Sequence, residues 1–163
     1  DSDCKLISND WVTPEEQINI INTIVHKSDT LIVLGDVGAP NFLAKLKAGY
    51  KVLIKGNHDL GSSNYEEYFD EIYSGALFIG EKLLLSHEPI DFKFAVNIHG
   101  HTHGYPGYHY KKNKFNVAAN CINYTPVSLG VIIKQGLLAG IDDIHRATID
   151  KATERKKKRG QRR

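Results

Sequence analysis

Apolar positions along this chain follow two periods, and each predicts its own kind of element. Ile18, Ile21 and Val25 recur at helical spacing, with Ile20 and Ile24 widening the apolar face. Thr13-Pro14-Glu15-Glu16 starts this helix: Thr13 caps it, Pro14 suits the first turn, and Glu16 can close a capping box. Thr30 to Leu34 and Val52 to Ile54 are short, continuous apolar runs that lead into Gly35-Asp36 and Gly56-Asn57-His58, so both read as buried strands feeding loops. Asn41 to Leu46 reads as a short helical stretch, and Tyr65 to Tyr73 as a partly exposed helix. Leu77 to Ile79 and Lys82 to Leu85 predict a hairpin joined at Gly80-Glu81. Phe94 to Ile98 and Phe115 to Ala118 read as further strands. Ser128 can cap a helix over Leu129 to Gln135, closed by Gly136. Strands alternate with helices early and hairpins dominate late, which predicts an α/β sandwich with a largely buried sheet.

At 163 residues the chain is long enough for one domain with its own core. No run of about 18 apolar residues occurs, so no membrane span and no membrane partner are expected. Cys4 and Cys121 are far apart and give no disulfide framework; they read as reduced thiols of a cytoplasmic protein. Charge changes the picture more. The whole chain carries +2, but residues 151–163 hold eight Lys/Arg and one Glu, a local +7 that leaves −5 for residues 1–150. A single domain over 1–150 with a basic, disordered tail over 151–163 is the expected organisation. The tail is either a solvated terminus or a contact for nucleic acid or another polyanion.

The polar residues that carry chemistry follow the predicted strands. They form four islands: Gly35-Asp36, Gly56-Asn57-His58-Asp59, Ser86-His87-Glu88-Pro89 and Gly100-His101-Thr102-His103. Each has an ordinary reading as a polar turn. Together they offer what a two-metal hydrolytic site needs. Asp36 has two oxygens and can bridge two cations. Asn57 offers a neutral amide oxygen. His58 can transfer a proton without binding metal, and Asp59 can hold its imidazole in one tautomer. A single His after a strand, as His87 is, is more often structural. His101 and His103 point the same way in an extended segment and can serve one metal together or two metals separately. Tyr105, Tyr108, His109 and Tyr110 follow closely and can line a substrate pocket, with Asn57, His58 and Tyr105 as candidate substrate contacts.

These four islands, in this order, resemble the calcineurin-like metallophosphoesterases, particularly small bacterial and phage members. The stretch Val117 to Leu129, with Tyr124-Thr125-Pro126-Val127-Ser128-Leu129, is similar to the end of such proteins, and the resemblance covers about residues 5 to 136. It implies a sandwich of mixed β-sheets flanked by helices. It also implies a hydrolase that cleaves phosphomonoesters or phosphodiesters with a metal-bound hydroxide. Asp36 would bridge two metals; Asn57, His87 and His101 would complete the second metal's shell; His103 would reach the first. His58 would protonate the leaving oxygen, with Asp59 behind it. The ions implied are Mn²⁺, Fe, Zn²⁺ or Ni²⁺, with Mn²⁺ favoured, and the oxygen and imidazole donors suit these.

The resemblance breaks at the beginning. Members open with a strand ending in Asp-x-His that supplies the first metal. This chain opens Asp1-Ser2-Asp3-Cys4-Lys5, with Lys5 where His is expected. Either that strand lies upstream of Asp1 or the motif has degenerated. One well-held metal is therefore expected, with reduced activity. The competing expectation is a family member that has lost catalysis and serves as a binding scaffold, as the metallophosphoesterase-like subunit of retromer does. A third is a nuclease-type phosphodiesterase that uses the basic tail.

Overall fold

The first helix starts where its capping residues place it. The computed structural model describes residues 12–38, 40–103, 113–142 and 144–160. In it, α1 (Pro14–Ile24) opens with a complete capping box. The Glu16 N–H donates to the Thr13 hydroxyl oxygen at 3.2 Å, and the Glu16 carboxylate accepts from the Thr13 N–H at 2.8 Å. The Thr13 backbone bond, then its side-chain bond, holds the Glu16 carboxyl below the usual carboxylate range. The box is therefore present at neutral pH and is lost as pH falls through that lowered pKa.

Among the described residues, seven strands form two sheets. β1 (Thr30–Val33), β2 (Tyr50–Ile54) and β3 (Glu71–Tyr73) make a parallel sheet in that order. β4 (Leu77–Ile79), β5 (Leu83–Ser86), β6 (Val96–His99) and β7 (Lys114–Asn116) make the second. The fold is thus an α/β sandwich with one parallel and one mixed sheet. The period-two alternation of strands sorts the core. Leu31 and Leu53 face α1 and the 3-10 segment Pro40–Lys45, packing with Ile18, Val25, Leu43, Tyr65 and Phe69. Ile32, Leu34 and Ile54 face the other way, onto Leu83, Leu85, Val96, Ile98 and Phe115, and this apolar layer joins the two sheets. α2 (Leu129–Lys134) closes that layer through Ile132.

Three expectations are corrected. Tyr65 to Tyr73 is not a helix: a 3-10 turn at Ser62–Asn64 precedes it and β3 occupies its end. The spacing of Tyr65, Tyr68 and Phe69 mimics a helical face, but β3 pairs with β2, and the Asp70 carboxylate accepts the Lys51 N–H at 2.7 Å at the strand start. Hairpins do not dominate late. The predicted β4–β5 hairpin forms, but β5, β6 and β7 then run parallel. Among the described residues, the β5–β6 connection holds no regular helix, the element that usually advertises parallel pairing. Finally, residues 151–160 are helical, the end of α3 (Ile144–Gly160), and the expected boundary at 150 falls inside that helix. Ala, Glu, Lys and Arg lose little rotamer freedom in a helix, so this sequence takes the conformation without an apolar face to pack. Among the described residues, no helix is long and apolar enough to cross a membrane. Cys121 is a buried free thiol, whereas Asp1, Asp3, Cys4 and Lys5 lie outside the described residues.

Candidate metal centre

Parallel pairing brings the ends of β1 and β2 together in one sheet and those of β5 and β6 together in the other. The four loops that leave these ends carry Asp36, Asn57, His87 and His101. The loops approach so closely that two glycines are required. A Cβ on Gly56 would lie 2.2 Å from Asp36 Oδ1 and 2.8 Å from His87 Cε1. Gly35, at φ +85°, would place its Cβ 2.4 Å from the Gly56 nitrogen. Asp36 and His101 themselves are held in left-handed backbone, at φ 53° and 60°. Non-glycine residues pay about 1–3 kcal/mol for such conformations, and they persist where surrounding bonds impose them, commonly at functional sites.

The polar atoms then converge. His87 is buried, with Nε2 2.9 Å from Asn57 Oδ1, 3.1 Å from His101 Nδ1 and 3.4 Å from Asp36 Oδ2. Its other nitrogen, Nδ1, donates to the Leu34 carbonyl at 2.7 Å. A carbonyl accepts only, so this bond places the ring proton on Nδ1 and turns the Nε2 lone pair inward. That lone pair meets an amide oxygen and a carboxylate oxygen, neither of which carries a hydrogen. Acceptors facing acceptors repel unless a cation or a proton lies between them. Ligand atoms of Asp36, His87 and His101 all lie within 4.8 Å of one another, a spacing that suits one metal ion. A histidine whose second nitrogen is fixed by a backbone carbonyl is the usual arrangement around such ions.

The remaining candidates separate. His58 is exposed, and its backbone N–H donates to Asp36 Oδ1 at 3.1 Å. His103 stands apart from the three-residue cluster, and its Nδ1 is 2.9 Å from Asn120 Oδ1. Tyr105, Tyr108, His109 and Tyr110 lie outside the described residues. A cavity of about 880 Å³ borders the cluster and is lined in part by Asp36, His87, His101, His103 and Tyr124. A second recess of about 760 Å³ beside α2 shares Pro126, Val127, Ser128 and Ile132 with that cavity and, among the described residues, is lined by no titratable side chain.

Asp59 is corrected. Its carboxylate does not stand behind the His58 ring. Oδ2 accepts the N–H groups of Gly56 at 2.7 Å and Asp36 at 2.9 Å, and Oδ1 accepts the Val37 N–H at 2.9 Å and the Tyr65 hydroxyl at 3.3 Å. Both oxygens are thus committed to tying the Asp36 loop to the Gly56 loop. Tyr65 is fully buried, and that burial pushes its phenol up from the usual range. Asp59→Asn turns an NH₂ group toward backbone N–H donors and leaves them unpaired. The expected cost is about 2–3 kcal/mol in urea unfolding, together with weakened metal binding. Unchanged stability would show that this clamp is dispensable.

Comparison with models of known protein families finds no match. The chain is 34% identical over 130 residues to the uncharacterized protein MJ1445 of Methanocaldococcus jannaschii, across 69% of this chain and 69% of that protein. It belongs to the family of MJ1445. Its fold is also similar to the crystal structure of AQ665, a protein of unknown function from Aquifex aeolicus, with a TM-score of 0.61 and 24% identity over 77% of this chain and 87% of that one. Neither protein is described by an activity.

Three contributors escaped the sequence reading. The Leu34 carbonyl fixes His87, Asn120 holds His103, and His99 is buried beside Gly100. Burial, the largest cause, pushes the His99 imidazole below its usual range, against the hydrogen bond to the Gly100 carbonyl. No local pattern marks a backbone carbonyl or an amide from a distant 3-10 segment.

Proposed function

We propose that this chain is a metal-dependent phosphoesterase of the calcineurin-like metallophosphoesterase type, acting on phosphomonoesters or phosphodiesters. The convergence of Asp36, Asn57, His87 and His101 on one point, with the His87 lone pair turned inward, carries this reading. Those four side chains would hold a divalent ion. The donors are oxygen and imidazole, with no thiolate, a set that suits Mn²⁺, Fe, Zn²⁺ or Ni²⁺, and Mn²⁺ is the first choice. When bound, such an ion activates water and neutralises phosphoryl oxygens. The protein's own part is positional. Leu34 fixes the His87 ring, and Asp59 fixes the Asp36 backbone. His58 keeps its ring outside this bonding pattern and exposed, where it can deliver a proton to a departing alkoxide.

A second reading, a metal-stabilised binding scaffold, is favoured by one observation. Among the described residues a single group of three His or carboxylate side chains has metal-ligand spacing, and His103 is not in it. Metal analysis of the purified protein, alongside hydrolysis of p-nitrophenyl and bis-p-nitrophenyl phosphate with added Mn²⁺, separates the two. About one tightly held metal per chain with Mn²⁺-stimulated turnover is the expected result. Metal without turnover would favour the scaffold, and absence of both would overturn the metal centre itself.

A further inference from the structure

The helix at the end of the chain has no part in the metal centre and a charge pattern of its own. α3 spans Ile144–Gly160, roughly 25 Å at 1.5 Å per residue. Residues 144–163 carry nine Lys/Arg against Asp150 and Glu154, while the rest of the chain is net negative. Lys151, Arg155, Lys157 and Lys158 are exposed, and Ile149 is 63% exposed. Among the described residues, none of these four cations forms an ion pair. The sequence places cations at five consecutive positions, 155–159. At 3.6 residues per turn, five consecutive positions go once around the helix. The charge is therefore a collar and not a stripe.

We propose that α3 binds duplex DNA through its phosphate backbone, lying in the major groove. The collar carries the argument. A helix with its side chains is about 10–12 Å across, and the major groove of B-DNA, about 12 Å wide, flanks it with phosphates on both sides. Cations on every face are then all used. An anionic membrane would use one face only and needs an apolar stripe on the other. Ile144, Ala147, Ile149 and Ala152 form no such stripe, and residues 153–160 contain no apolar side chain. Single-stranded sites stack successive bases on Phe, Tyr or Trp rings, and α3 has none of these. The major groove of A-form RNA is too narrow to admit a helix. The acidic body favours a single mode, because it repels the same phosphates that the collar attracts. With no base-reading pattern in 155–159, the binding is independent of sequence.

The test is fluorescence anisotropy of a labelled duplex DNA of about 20 base pairs with the full chain, from 50 to 200 mM salt. The comparison variant combines Arg155→Gln, Lys157→Gln and Lys158→Gln. Glutamine keeps helix propensity, and circular dichroism checks that the helix remains. Binding should weaken steeply with salt. The variant should bind at least tenfold more weakly at low salt, with the slope of log K against log salt flatter by roughly two to three, about 0.9 per lost phosphate contact. No binding at 50 mM salt, or an unchanged slope in the variant, would overturn the proposal. Equal affinity for a single strand of the same length or for heparin would overturn the groove geometry. Tighter binding to phosphatidylserine vesicles would assign the collar to a membrane surface instead. None of these outcomes depends on the metal centre.

Discussion

His87→Ala is expected to remove bound metal and phosphoesterase turnover together. His87 is the hub of the cluster: its Nε2 is the atom that Asn57, His101 and Asp36 all face. Loss of an outer-shell partner typically costs 10–100-fold in metal affinity, and loss of the hub ligand should cost on the order of 10²-fold or more. Because His87 is buried, its removal also orphans the Leu34 carbonyl, a cost of about 1–3 kcal/mol to the metal-free fold. His101→Ala separates the two effects. His101 is exposed, so its loss removes a ligand without opening a buried hole. The readouts are metal content after dialysis and the shift of thermal unfolding with added Mn²⁺. A site saturated at about 100 times its Kd stabilises the fold by about 2.7 kcal/mol, and that gain should vanish in both variants. Retention of metal and of the Mn²⁺-induced shift by both would mean that the converging acceptors do not form a metal site.

His58→Ala should have the opposite signature: metal retained, turnover lost. Only the backbone N–H of His58 touches Asp36, and alanine keeps that N–H. The ring is exposed and takes no part in the hydrogen bonds that hold the cluster. If it protonates the leaving oxygen, turnover should fall by about 10²–10⁴. The loss should be largest for alkyl phosphates, whose alkoxide needs a proton, and smallest for p-nitrophenyl phosphate, whose phenolate does not. A uniform loss across leaving groups would assign His58 to substrate binding. Loss of metal would make it a ligand. Asp59→Asn, by contrast, should act through stability and metal affinity together, since Asp59 bonds the backbone of the very loop that carries Asp36.

Most element types, α1 and the strands β1, β2, β4 and β5 among them, were legible in the sequence, as were the strand-end positions of Asp36, Asn57, His87 and His101, because both are written locally. A capping box needs only Thr13, Pro14 and Glu16 in order, and a buried strand needs only a short apolar run. Asp36, Asn57, His87 and His101 each follow such a run within a few residues, so the strand that precedes them already delivers them to a sheet edge. The tertiary structure decided what depends on partners distant in sequence. Strand direction was one such choice: β5, β6 and β7 pair in parallel, and no local period distinguishes that from a meander. The use of Asp59 was another. Next to His58 in sequence, it reads as that ring's partner, yet three backbone N–H groups and a phenol compete for its two oxygens and take both. His101 and His103 look equivalent two residues apart. The left-handed turn at His101 sends one ring toward His87, while the other meets Asn120. Propensity and period act over a few residues. A hydrogen-bonding group goes to whichever partner the whole fold brings within about 3 Å, and that choice is settled only when the chain has packed.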